Sequence, residues 1–382
     1  MNLKNNESLT KDISISIQKF SLKNILDLDI KETWLTLEKE STSSFFLSWK
    51  WIGNWLNIIS KNKTIILVTA QQNSTVVGLG IFVEKLTTRH FILKSKQWYL
   101  HRTGDEKLDQ IWIENNDFLL NYRNKDAIRN AMWTHLLQCD HHVDEFILNV
   151  AKRHTLDDIP LANTYDKIIE NKELGYVVNC QDNLDFNQYL NTLSKNTKQQ
   201  WKRSTKALGQ LGKIEFSVIS DSNQQLDILT KTSHWHINKW KNSCTPSGFL
   251  NENFVKFHQR LINDDHTTSK TLVTTLTINE ELVGCLYCLQ KDAIIYFYLS
   301  NLKPLGNNKI KLGIALHMFM IQWIHKTYPR DGQYDFLAGE ARYKKSLASH
   351  VDEYAQITLQ KNKLLYKLER CIQKIKKLLV KH

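Results

Sequence analysis

The chain repeats one local pattern about halfway along its length. An apolar run at 65–70, a polar turn at 71–74 and a second apolar run from Val76 to Phe82 recur at 271–278, 279–281 and 282–287. Gly78 and Gly284 take matching places in the second run, 206 residues apart. Apolar runs joined by a short turn predict a β-hairpin. After each hairpin the patterns of a further strand, a helix and another strand follow, at 97–100, 126–138 and 145–150, and again at 293–300, 309–326 and 333–337. Self-similarity on this scale points to an internal duplication. The expected fold class is therefore α/β with a mixed sheet, built from two copies of one hairpin–strand–helix–strand unit. The copies differ: the first carries an extra polar segment at 101–121, and its helix opens without a glycine.

At 382 residues the chain exceeds one ordinary core and fits two domains. The boundary is placed near Gly175, giving residues 1–175, residues 176–359 and a C-terminal helix at 360–382. Scarce Gly (13) and Pro (4) predict long elements with few breaks. Between the copies, Phe186, Tyr189, Leu190, Leu193, Trp201, Leu208 and Leu211 form an apolar stripe that predicts a helix over 186–211. Its other faces carry Lys195, Lys198, Lys202, Arg203 and Lys206. Two more helices are expected at 226–240 and 251–263.

A net charge of +12 suggests a nucleic-acid partner until its location is considered. Residues 361–382 hold eight Lys or Arg against Glu369 alone, a net +7, so most of the excess belongs to a tail. No specific nucleic-acid partner is expected. In the same tail Leu364, Leu365, Leu368, Ile372, Ile375, Leu378 and Leu379 recur at helical spacing. Such a helix either lies on an anionic membrane surface or packs its apolar stripe on its own domain and leaves a wet basic face. The longest nearly apolar run, 312–324, covers only 13 residues, too few to cross a bilayer. Six scattered cysteines and an N-terminus without an apolar signal core predict a reducing, cytoplasmic setting. Cys285 and Cys288 form a C-x-x-C, but strand alternation sends them to opposite faces, so no metal site is expected.

The stretch from Tyr334 to Leu347 concentrates the chemistry. Asp335 and Glu340 fall at and just beyond the end of a predicted strand, where α/β sheets commonly hold ligands, and Tyr343 and Lys344 follow. Asp335 is read either as a general base or as a cap on the following turn. This stretch follows 189–195 with 201–212, His236 with Lys239-Trp240, Gly284 and a helix opening at Gly313. In that order, these features make the second half resemble the CelD-like acetyltransferase family of the GNAT superfamily, and 45–52 resembles the same family's opening helix. The likeness covers most of residues 45–358. The tandem arrangement also resembles the FemABX aminoacyl transferases, which share the basic helix at 195–206.

The resemblance implies a tandem GNAT fold and transfer of an acyl group from acetyl-CoA, or another acyl-CoA, to an amine on a sugar or cell-envelope precursor. It also implies that the first copy shapes the acceptor site. Such transfer needs an anion cradle, a base for the amine and an acid for the thiolate. The cradle falls on Lys309, Lys311, Leu312 and Gly313: a helix start has unpaired N–H groups, glycine admits the pyrophosphate, and the lysines add charge. Lys344 is grouped with them. Asp335 or Glu340 would be the base, and Tyr343 stands where GNAT enzymes place a proton donor for the thiolate. His236 resembles a family histidine and is read either as an alternative base, titrating near neutrality, or as a structural helical histidine. Two departures stand out. The family's Ser-Pro-Gly-like helix start is replaced here by Lys311-Leu312-Gly313, and Ala341 follows Glu340 in place of an acid. Two other functions fit the same features, aminoacyl-tRNA-dependent transfer and a binding protein with a decayed site. The segment 101–121 either lines an acceptor groove or is a solvated loop.

Overall fold

The computed structural model describes residues 13–21, 29–59, 63–89, 93–139, 142–157, 159, 161, 164–183, 185–265 and 268–379. The chain separates into two compact units, one of Met1–Lys172 with Tyr354–His382 and one of Glu173–Glu353. The first begins with β1 (Ile13–Ser21), α1 (Ile30–Lys39) and α2 (Trp49–Ile58), then β2 (Thr64–Gln72), β3 (Thr75–Arg89) and β4 (Leu93–Leu100). The two-residue β5 (Leu119–Leu120), α3 (Lys125–Gln138) and β6 (Glu145–Lys152) follow. β7 (Tyr165–Asn179) leads into the second unit, which holds α4 (Phe186–Thr192), α5 (Lys195–Leu211), β8 (Ile214–Ile219), α6 (Ser222–Trp240) and α7 (Glu252–Asn263). It continues through β9 (Ser269–Ile278), β10 (Glu281–Lys291), β11 (Ile294–Leu302), α8 (Leu312–Thr327), β12 (Gln333–Ala338) and α9 (Arg342–Leu347). β13 (His350–Lys361) returns the chain to the first unit, where α10 (Leu364–Leu379) lies.

Strands follow the order β1-β2-β3-β4-β6-β13 in the first unit and β7-β12-β11-β10-β9-β8 in the second. Both sets are mixed: the hairpins β2–β3 and β9–β10 are antiparallel, whereas β4–β6 and β11–β12 are parallel. The fold class is α/β. Each hairpin turns on two left-handed residues, Asn73-Ser74 and Asn279-Glu280, with φ from 47° to 68°. Such turns match the twist of the strands they join and fix their register.

The repeated glycines seat the crossover helices. A Cβ on Gly78 would meet Met132 Sδ at 2.8 Å and Ile128 Cγ2 at 2.9 Å, and one on Gly284 would meet Leu316 Cδ1 at 2.9 Å and Leu312 Cδ2 at 3.5 Å. α3 and α8 therefore approach their sheets through the same i, i+4 pair, Ile128/Met132 and Leu312/Leu316. This correspondence sets Arg129 where α8 has Gly313, and Trp133 where it has His317.

Two expectations change. The helix over 186–211 is broken at Leu193, because Ser194 starts a second helix by accepting the Thr197 N–H at 3.2 Å. The segment 101–121 is not simply a solvated loop, since Ile111, Ile113, Asn116 and Phe118 are buried in the first unit while Asp105, Glu106 and Lys107 are exposed. There β4 and β6 pair only from Gln97↔Glu145 to Tyr99↔Ile147 and then part. Asn116 closes the opening, donating from Nδ2 to the Leu100 carbonyl (2.8 Å) and from its N–H to the Val150 carbonyl (3.2 Å). Phe118 packs on Trp133 with ring centroids 5.0 Å apart, and Arg129 is held by Asp117 at 2.7 Å.

Candidate active site

In the second unit the equivalent strands part as well. β11 and β12 run parallel through three pairs, from Ile294↔Gln333 to Tyr296↔Asp335, and no β11–β12 pair forms beyond them. α8 begins beside the gap. Lys311 is its N-cap residue and no side chain caps it, so the N–H groups of Leu312, Gly313 and Ile314 have no intrahelical acceptor. Lys311 donates its N–H to Ser204 Oγ on α5 (3.1 Å), which pins the helix start, and the preceding turn is held by Asn307 Oδ1 accepting the Lys309 N–H (3.0 Å).

A cavity of about 660 Å³ opens at this point, lined among others by Lys239, Ser300, Lys303, Lys311, Gly313, His317 and Tyr343, with no carboxylate in its lining. Lys303 is ion-paired with Glu281. Lys239 is exposed as a residue, but burial around its ammonium lowers its pKa, and the ammonium lies 5.5 Å from the Trp240 ring centroid. A Cβ on Gly313 would come within 3.3 Å of Leu302 Cδ1, so the cavity wall is already close there.

His317 is a site residue that its place in an apolar run concealed. It follows Gly313 by one helical turn and is buried, with Nδ1 2.8 Å from Tyr334 Oη and its ring stacked on Tyr343 at 5.0 Å and 12°. Burial, and secondarily the charges of Lys344 and Lys239, push its pKa down to about 3. It is neutral at pH 7. Burial pushes the Tyr343 phenol up to about 12, so that group keeps its proton. The i, i+4 spacing from Gly313 is the sequence signal that marks His317.

The other expected residues take different places. Asp335 is buried on β12 and its Oδ1 accepts the Leu337 N–H at 2.8 Å, supporting the left-handed φ of 61° at Leu337. Glu340 is exposed on the bend that leaves β12. Lys344 is buried, and its ammonium donates to the Ala338 carbonyl at 2.9 Å, closing that strand end. Lys309 is exposed, and neither it nor Lys344 is among the residues lining the cavity. His236 also lies off that lining, with Nδ1 2.7 Å from Ser247 Oγ, and burial together with Lys239 lowers its pKa to about 4. Leu312 and Lys311 are in the lining. Among the described residues, no group of three or more His, Cys, Asp or Glu is placed to hold a metal ion.

Residues 195–345 match the family model described as an acetyltransferase (GNAT) domain, a span that includes the β9–β10 hairpin, the parted strands and the start of α8. Over nearly its whole length the chain is similar to the crystal structure of FemX, with a TM-score of 0.57 and 10% identity, covering 92% of this chain and 99% of that one. It is also similar to a conserved protein of unknown function from Bacteroides thetaiotaomicron VPI-5482, with a TM-score of 0.50 and 12% identity, covering 91% and 100%. At such identities these likenesses are of fold. No curated protein matches the chain. Taken with the internal duplication, the fold is a tandem GNAT fold, and the family match supports N-acyltransferase chemistry without singling out the CelD-like family.

Proposed function

We propose that this chain transfers an acyl group, most simply acetyl, from an acyl-CoA to an amine, with the cofactor held by the second unit. One observation carries the reading: β11 and β12 part after three pairs beside an uncapped helix start that bears Gly313 and opens on a lysine-lined cavity. The N–H groups of Leu312, Gly313 and Ile314 suit a pyrophosphate, with Lys311 adding charge. The extended pantetheine arm, which carries two amides, suits a gap between strands. The start of α3 in the first unit is likewise uncapped, but Asn116 closes the gap beside it and Arg129, held by Asp117, stands in the place of Gly313. One cofactor per chain follows.

In the reaction the amine attacks the thioester carbonyl carbon, the C–S bond breaks, and the thiolate leaves with the electron pair while the new amide nitrogen loses a proton. Tyr343, protonated at neutral pH, is assigned to donate to the leaving sulfur, and His317, stacked on it, positions it. Glu340, exposed beyond the strand end and off the cavity lining, is assigned as base acting through water, and Asp335, whose Oδ1 accepts the Leu337 N–H, is read as a positioning residue. Lys309 and Lys344 would act on the cofactor only through charge at a distance. An amine of a sugar or cell-envelope precursor is the acceptor class to test first.

Calorimetric titration with acetyl-CoA, longer acyl-CoAs and aminoacyl-tRNA tests the reading. Saturable binding of an acyl-CoA at one site per chain is expected. Binding of charged tRNA alone would move the chain to aminoacyl transfer, and binding of neither would mean a decayed site.

A further inference from the structure

We infer that α10 is a docking face for an anionic lipid surface. The helix packs on the first unit by its polar side. Tyr366 is fully buried, Glu369 pairs with Arg89 at 2.9 Å, Lys363 pairs with Asp144 at 2.5 Å, and Arg370 pairs with Asp166. These contacts fix the rotation of the helix and turn its apolar residues outward. Leu364, Leu365, Leu368, Ile372 and Ile375 are 74%, 58%, 52%, 54% and 56% exposed. At i, i+1, i+4, i+8 and i+11 they form one continuous stripe along the helix. The orientation is the reverse of a helix that hides its stripe in its own domain.

Charge decides what covers the stripe. Within 361–382 the one acid, Glu369, is taken by Arg89, and with Lys363 and Arg370 paired to Asp144 and Asp166 the segment still carries six other lysines. A second copy of the helix would bring two cationic segments together with no acid left to pair them. A bilayer with anionic headgroups accepts both features, apolar side chains among the acyl chains and lysines at headgroup level. Lys367, exposed beside the stripe, is placed for that second contact. No helix among the described residues is long and apolar enough to cross a membrane, so the attachment lies in the surface plane. The inference stands independently of the acyl-transfer reading.

Co-sedimentation of the full chain with vesicles of phosphatidylcholine alone, and of phosphatidylcholine mixed with phosphatidylglycerol, tests it. Binding to the mixed vesicles only, weakening as salt rises, is expected. Leu368→Glu and Ile372→Glu should each lower partition about tenfold or more, and Lys367→Gln roughly fivefold. All three should melt at the wild-type temperature, because these side chains are exposed. No binding to mixed vesicles at low salt overturns the inference, as does equal binding to neutral vesicles. So does a chain that is dimeric in solution, becomes monomeric with Leu368→Glu and ignores vesicles, since the stripe would then join two copies. A large fall in melting temperature for the stripe variants would show that the stripe is packed and would also overturn it.

Discussion

Gly313→Glu should abolish acyl-CoA binding while leaving the unliganded protein as stable as before. On the folding side the change is nearly neutral. The new Cβ meets Leu302 Cδ1 at 3.3 Å, a contact that a small shift of one side chain relieves. Against this, replacing glycine in a helix gains about 0.5–1 kcal/mol, and an acid in the first turn gains about 0.3–1 kcal/mol against the helix dipole. On the binding side the carboxylate would stand roughly 5 Å from the cofactor's pyrophosphate, where one pair of like charges costs about 3 kcal/mol at an effective dielectric constant of about 20. Affinity should fall by more than about a hundredfold. Calorimetric titration with acetyl-CoA measures the affinity and thermal unfolding of the apo protein measures stability. A variant that binds acetyl-CoA as tightly as the wild type would refute the cradle, because no rearrangement confined to Leu302 removes the charge.

Tyr343→Phe should lower turnover about a hundredfold to ten-thousandfold with little change in acetyl-CoA affinity. His317→Ala should lower turnover too, and His317→Phe, which keeps a ring beneath Tyr343, should restore part of it; equal loss in both would argue against positioning by stacking. His317 and His258 are held at pKa values of about 3 and His101 at about 4, all by burial, against an unfolded value of 6.5. Below that value the unfolded chain binds more protons than the folded one, so stability should fall as pH drops from 6.5 toward 4, each histidine contributing up to about 1.4 kcal/mol per pH unit. A melting temperature that stays level over that range would contradict this. Gly284→Ala forces a Cβ to 2.9 Å from Leu316 Cδ1 and should cost about 1–3 kcal/mol in denaturant unfolding, and the double variant with Leu316→Ala should lose less than the sum of the two single changes.

The parts of the fold legible in the sequence are those fixed by local chemistry. Asn73-Ser74 and Asn279-Glu280 set two-residue turns that alternating apolar runs already imply, and α8 and β12 stand within a few residues of their expected bounds. What escaped depends on partners far away in the chain. Residues 354–360 carry no local sign that they pair with 145–152. Ile111, Ile113 and Phe118 are too irregularly spaced to mark 101–121 as buried, and only the parted strands β4 and β6 explain why they go inside. The tail helix was evident from its periodicity, but its orientation is set by Tyr366, Glu369 and Arg370, whose side-chain pairings periodicity does not weigh. At the site the helix start was visible because glycine is scarce, whereas His317 was masked by the apolar neighbours that bury it.

On the ribosome the first unit cannot be finished before the second has been made. Ala355, Ile357 and Leu359 are part of the first unit's core and their backbones pair with β6, yet they follow the whole of Glu173–Glu353 in the order of synthesis. Until they emerge, one edge of β6 stays open, and an open strand edge is a template for pairing with the wrong chain. A fragment ending near Gly175 keeps that edge exposed permanently and should aggregate. The stretch Glu173–Glu353, continuous in sequence, is the part to express alone.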